Sequence, residues 1–369
     1  MKAPLFVRFL LPALSALTAR ADIVPVPAGA NPNAVVQANG PVTVVNLTGP
    51  ARIEWQDFSL AAGREIHYLS RDGGGFPSLN IVRSPAPAVI DGRITADGPF
   101  YLISPGGIQV GSGGRIEAPR VLLSTMTPAD GARVLADGGG TFTPDGAGGA
   151  VGVDGTIETA GGPLIVLSST ITTGPQARLR SPGGEVRLAA VDSSPVRVAP
   201  AGSALTAAST GGSGLISTTG WIDARRVEIV SDGFLVNGGR ITATGQGNQV
   251  RLAASDIVHE ARADSASVIL TSSLTVEGPF RQSGPVLGPT DGANPAVAAG
   301  LRQTPRLSSE GFITKVEPGQ TQLSTAPLQS PQTAASPVPP PLPRSPALAA
   351  RRTGGTVKKA SFFGQKVRH

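Results

Sequence analysis

The sequence has no cysteine, two tryptophans, two tyrosines and an aromatic content of 4%. Without cysteine there is no disulfide framework, no thiolate metal site and no thiol nucleophile, so stability must come from burial and backbone hydrogen bonding. Nowhere does an uninterrupted apolar run approach the ~18 residues that a membrane-spanning helix needs. There is no Gly-x-x-x-x-Gly-Lys-Ser/Thr phosphate loop, and His67, His259 and His369 share no metal-ligand spacing. Neither a metal nor a cofactor is expected. Acidic residues are absent from Arg344 to the last residue, a stretch that holds seven Lys/Arg with Arg344 itself; with a net charge of +6 overall, everything before is near neutral at −1. The basic balance therefore belongs to a tail and not to a folded face with interleaved aromatics, which argues against nucleic acid as a partner.

What is abundant is glycine (48), proline (34) and small branched apolar residues. Short segments repeat one pattern, a turn followed by x-apolar-x-small and then alternating apolar residues. The copies are GRITADGPFYLISPG from Gly92, GRIEAPRVLLST from Gly114, GTIETAGGPLIVLSST from Gly155, ARLRSPGGEVRLAAVD from Ala177, GWIDARRVEIVS from Gly220 and GRITATGQGNQVRLAASD from Gly239. Neighbouring starts lie 22, 22 and 19 residues apart (Gly92 to Gly114, Gly155 to Ala177, Gly220 to Gly239), a period that indicates stacked units. Within them Val186 and Leu188 alternate with Glu185 and Arg187, and Val250 and Leu252 sit likewise, which is strand periodicity. Gly or Pro arrives too often for a sustained helix. A short strand alone cannot bury its apolar face, whereas coils stacked on like coils enclose a continuous core. The expected fold is all-β, a right-handed single-stranded parallel β-helix of the pectin-lyase type, with Ile94, Ile116, Ile157, Ile222 and Ile241 as an inward ladder. A β-sandwich is the competing architecture, but it predicts hairpin dipeptides and no unit repeat.

The expected organisation has four parts. Residues 1–21 read as a signal peptide, with Lys2 and Arg8 before the 11-residue apolar run FLLPALSALTA and then Ala19-Arg20-Ala21 as the cleavage pattern. Residues 22–130 hold a cap and the first coils, and 131–278 further coils. Residues 279–369 form a flexible tail, with nine prolines between Pro318 and Pro346 ahead of the basic end. In that end Arg351, Arg352, Lys358 and Lys359 are candidates for tethering to an anionic surface, a simple solvating tail being the other reading.

Ile53-Glu54-Trp55-Gln56-Asp57-Phe58, then Ile90-Asp91-Gly92-Arg93-Ile94-Thr95-Ala96, then Leu102-Ile103-Ser104-Pro105-Gly106-Gly107-Ile108 and Leu122-Leu123-Ser124-Thr125 follow one another in an order that resembles the secretion domain of filamentous haemagglutinin-type proteins. The resemblance covers about residues 30–130. It implies a β-helical exoprotein of the two-partner secretion type from a Gram-negative bacterium, carried across the outer membrane by a dedicated β-barrel transporter, exported to the exterior or the outer-membrane surface, and usually adhesive. Where that family has Asn-Pro-Asn-Gly-Ile, this chain has Ser104, Pro105, Gly106, Gly107 and Ile108, the candidate transporter-recognition residues. Pro then Gly is type II turn chemistry, with a positive φ expected at Gly106.

Trp55 and Phe58 read as a plug at the open end of the first coil. Trp221 occupies the position of Arg93, Arg115 and Arg240, which points outward and makes it a candidate surface contact for a host or envelope glycan or protein. Acids fall singly at turns, Glu117, Asp223 and Glu228 being the set that stacking could align for polysaccharide lyase or hydrolase chemistry. The chain is thus expected to be a monomeric binding or structural protein and not an enzyme, with a β-helical carbohydrate-active enzyme as the alternative.

Overall fold

In a computed structural model, residues 24–25, 33–144, 146, 148–261 and 267–288 are described. They belong to the first of two units of the chain, residues 1–321. The expected signal peptide and the basic residues Arg351, Arg352, Lys358 and Lys359 lie outside them.

The repeat pattern becomes a parallel β-helix with three strands per coil. One coil runs Arg93–Ala96, Phe100–Ile103, Ile108–Val110; the next runs Arg115–Ala118, Val121–Ser124, Ala150–Val153. Each strand pairs in parallel with its counterpart one coil away. The isoleucine ladder forms in register and reaches beyond the five residues named. Ile66, Ile94, Ile116, Ile157, Leu179, Ile222, Ile241, Ile269 and Val286 are successive partners, all buried. The turn glycine ahead of the rungs Ile94, Ile116, Ile157, Ile222 and Ile241 is set by close stacking: a Cβ on Gly155 would lie 2.2 Å from the Gly114 carbonyl oxygen below it.

Two features depart from an uninterrupted run of coils. At the N-terminal end, Ala34–Asn39 folds back antiparallel on Val42–Leu47, and Val24–Pro25 lies antiparallel on Ala51–Asp57. Antiparallel strands there cover edges that a bare first coil would expose. Residues 126–143 and 192–213 also leave the coils. They contribute strands Thr127–Pro128, Gly140–Thr143, Val196–Val198 and Leu205–Thr206, which make a four-stranded antiparallel sheet. Between the first two lies a helix, Gly131–Asp137, started by Asp130, whose carboxylate accepts from the Ala132 and Arg133 N–H groups at 2.9 and 3.2 Å, and stopped by Gly138 at φ 71°.

This lateral layer builds a second core. Phe142, Val134, Val196, Val198 and Leu205 pack on Tyr101, Leu122, Ile165 and Leu167 of the coils. The strands Phe100–Ile103, Val121–Ser124 and Leu164–Ser168 are consequently buried on both faces, which is why they lack polar alternation. The coils also pass the boundary expected at 278. Phe280–Gln282 and Val286–Leu287 pair with Asp256–His259 and Val268–Leu270, because Phe280 and Val286 supply inward apolar side chains.

Candidate functional site

The Ser104–Ile108 turn joins Phe100–Ile103 to Ile108–Val110 at a corner of the coil. The Ser104 carbonyl accepts from the Gly107 N–H at 3.0 Å, closing the turn. Its positive φ is at Gly107 (121°) and not at Gly106, so the expected type II geometry is corrected. Close stacking explains the glycine at 106 instead: a Cβ there would meet the Pro85 carbonyl oxygen at 2.3 Å. Gly149 of the next coil approaches from the other side, its Cβ direction ending 2.1 Å from the Pro105 carbonyl oxygen. Ser104, Gly107 and Ile108 are buried; Pro105 and Gly106 are the half-exposed part of the turn. The Ser104 hydroxyl is buried without a partner among the described residues.

Trp55 and Phe58 are both fully buried and meet edge to face, ring centroids 5.3 Å apart. Trp55 Nε1 donates to Asn80 Oδ1 at 2.9 Å, Tyr68 donates to the same oxygen at 2.8 Å, and Asn80 Nδ2 donates to the Tyr101 carbonyl at 3.2 Å. One buried asparagine thereby satisfies both aromatic donors. Sequence reasoning missed Asn80; its signal is a lone amide in the apolar strand Ser78–Val82.

The outward face carries paired charges. Glu117 accepts from Arg93 at 2.6 Å and bonds Arg115 at 2.5 Å, and Arg115 reaches Glu158 of the next coil at 3.7 Å. Arg180 continues the column to Glu158 and Asp223, at 3.2 and 3.7 Å. Burial pushes the Glu117 carboxyl up, but the hydrogen bonds from Arg93 and Arg115 outweigh it and hold the group below the ordinary carboxylate range. Glu228 belongs to a different column, between Arg187 and Arg251. The three acids that stacking was expected to align are therefore apart, Glu117 and Asp223 lying three rungs apart and Glu228 lying elsewhere, each held by arginine. Trp221 shares the column of Arg178 and Arg240, as its position in the repeat implied, and the two guanidinium carbons lie 5.3 and 5.2 Å from its ring centroid. Each contact is a cation–π pair.

Two buried ions escaped the sequence reading. Arg187, 2% exposed, donates to Glu185 and to the Ser203 carbonyl at 2.8 Å, fastening the lateral layer to the coil. Asp232, fully buried, accepts from the N–H groups of Asp192, Ser193 and Gly214. It organises the corner where residues 192–213 leave and rejoin the coils. Among the described residues no group of three or more His, Cys, Asp or Glu is placed to hold a metal ion, and no helix is long and apolar enough to cross a membrane.

The sequence profile of the TPS secretion domain matches residues 21–274. In structure the chain is similar to the crystal structure of the HMW1 secretion domain from Haemophilus influenzae, with a TM-score of 0.51 at 15% identity over 74% of this chain and 78% of that one. It is also similar to the crystal structure of the filamentous hemagglutinin secretion domain, with a TM-score of 0.40 at 17% identity over 73% of this chain and 98% of that one. No curated protein matches it in sequence.

Proposed function

Since the chain belongs to the TPS secretion domain family, we propose that it is an adhesive or structural β-helical exoprotein whose partner is an outer-membrane β-barrel transporter. The family match over residues 21–274 carries this reading. Secretion domains of two-partner systems serve export through the outer membrane, and this chain devotes nearly all of its described coils to that domain.

In this proposal residues 1–21 are the signal peptide, and 22–130 contain the part that the transporter engages. Pro105 and Gly106 are the accessible atoms of the recognition turn, while Ser104, Gly107 and Ile108 fix its shape. Trp55 and Phe58 close the first coils from within. Ligand contact falls to the lateral faces, where Trp221 between Arg178 and Arg240 offers an aromatic edge flanked by cations to a host or envelope surface. The basic residues Arg351, Arg352, Lys358 and Lys359 hold the exported chain to anionic groups of the envelope. The arginine-neutralised carboxylates favour binding over acid–base hydrolysis, because a general acid needs a raised pKa, while the Glu117 carboxyl is held low.

Producing the chain in a Gram-negative host with and without the cognate transporter tests the export reading. It should accumulate outside the cell when the transporter is present and stay in the periplasm when it is not. Equal accumulation outside without the transporter would contradict it.

A further inference from the structure

The outward face that the isoleucine ladder backs is balanced in charge along one part of its length and not along the next. Beside the rungs Ile94, Ile116 and Ile157 stand Arg93, Thr95, Arg115, Glu117, Thr156 and Glu158, two arginines against two acids. Beside Leu179, Ile222 and Ile241 stand Arg178, Arg180, Trp221, Asp223, Arg240 and Thr242, three arginines against one acid. Arg93, Arg115 and Arg180 all have carboxylate partners, and Asp223 faces Arg180 at 3.7 Å. Arg178 and Arg240 have no carboxylate partner among the described residues. Arg178 makes its cation–π contact with Trp221 and no hydrogen bond, while Arg240 adds one bond, from Nε to the Thr242 hydroxyl at 3.1 Å. The surplus therefore sits on these two side chains, both exposed, with Trp221 half-buried between them.

A guanidinium stacked on indole is held by its face, which leaves the N–H groups of its edge for an acceptor in its plane. Trp221 thus steadies two such forks on the flanking strands, about 10 Å apart at two strand spacings. The chain itself shows what fills a fork of this kind: Arg93 donates from Nε and Nη2 to one Glu117 oxygen, at 2.9 and 2.6 Å. Forks held at a fixed spacing favour a ligand whose acidic groups also recur at a fixed spacing, because little freedom is then lost in ordering it. Acidic side chains along a peptide keep no such spacing, whereas the carboxylates of a regular sugar chain do.

We propose that Arg178, Trp221 and Arg240 bind a linear acidic polysaccharide whose carboxylates recur about 10 Å apart, an assignment that rests on the adhesive reading above. Successive carboxylates meet Arg178 and Arg240, and the uncharged sugar between them lies along the exposed edge of Trp221. Asp223, drawn toward Arg180, leaves the row clear of competing negative charge.

Binding of hyaluronan, which carries a carboxylate on alternate sugars, to the purified full chain tests this, with dextran as the uncharged sugar chain and polyglutamate as the acidic peptide. At physiological ionic strength hyaluronan should be held and dextran should not. Arg178→Gln combined with Arg240→Gln should weaken the hyaluronan complex at least about tenfold, and Trp221→Ala about threefold. Arg93→Gln, at an arginine that Glu117 already neutralises, should leave it unchanged. Every variant keeps the basic tail, so its charges cancel from the comparison. No binding of hyaluronan, no effect of the paired substitution, a loss as large from Arg93→Gln, or an equal loss for polyglutamate would overturn the proposal. The purified chain needs no transporter, so secretion without hyaluronan binding would sink this assignment and leave the export reading standing.

Discussion

Ile116 and Arg115 are adjacent in sequence and opposite in consequence. Ile116 lies between Ile94 and Ile157 with no exposure, while the Arg115 side chain is 47% exposed and bridges Glu117 and Glu158. Ile116→Asp leaves a carboxylate in the core with no partner, and should cost about 4 kcal/mol or more. Arg115→Ala removes half-exposed ion pairs and should cost about 1 kcal/mol or less. Chemical denaturation of both variants checks the difference, and similar losses would mean that the register is wrong. Replacement of Arg115 by an acid is another matter, because it would set three like charges on neighbouring rungs.

At the scale of elements, the ladder was legible because one coil repeats the physical problem of the next. Gly-x-Ile at a corner solves it at Ile94, Ile116, Ile157, Ile222 and Ile241, and the solution is printed in the sequence. The lateral layer was not legible as a layer, although its footprint was present. The unalternating runs Phe100–Ile103, Val121–Ser124 and Leu164–Ser168 signal burial on both faces, and Asp130 with Gly138 bounds a seven-residue helix too short to show a period. The positive φ of the Ser104–Ile108 turn was misassigned for a related reason. Pro-Gly fits more than one turn type, and the approach of Pro85 from the coil below decided the geometry at Gly106. Long-range partners of single polar residues, such as Asn80 and Asp232, leave no periodic trace at all. Arg187 is the joint between layer and coil, so Arg187→Met should cost about 1–3 kcal/mol by releasing the Ser203 carbonyl and taking one partner from Glu185 and Glu228, which keep Arg226 and Arg251. Limited proteolysis should then cut within residues 192–213 before the coils; resistance equal to that of the unaltered chain would show that the joint is dispensable.

For the molecule as a whole, the outward ion pairs make stability depend on pH with a definite sign. Glu54 and Glu277 are held below their ordinary range first by hydrogen bonds from Arg83 and Arg251, as Glu117 is, against its desolvation, by Arg93 and Arg115. A carboxyl whose pKa is lower folded than unfolded contributes stability that is fully present above the unfolded value of about 4.3 and is lost as pH falls through the folded one. Thermal unfolding should therefore be flat from about pH 7 to 5 and fall steeply below about pH 4, while Glu117→Gln should make that fall shallower. A melting temperature unchanged down to pH 2 would remove these pairs from the account.

The parallel, in-register stacking of Gly-x-Ile coils is the claim on which the rest depends, and the absence of cysteine makes it directly measurable. Thr95 and Glu117 are partners in adjacent coils, as are Glu117 and Glu158, whereas Thr95 and Glu158 are two rungs apart. Neighbouring parallel strands place such residues about 5 Å apart, within disulfide reach, and next-nearest ones about 10 Å apart, beyond it. Mild oxidation of the exported chain should cross-link Thr95→Cys/Glu117→Cys and Glu117→Cys/Glu158→Cys nearly completely, and leave Thr95→Cys/Glu158→Cys reduced. Failure of the two adjacent pairs to close, or closure of the distant pair, would contradict the β-helix described.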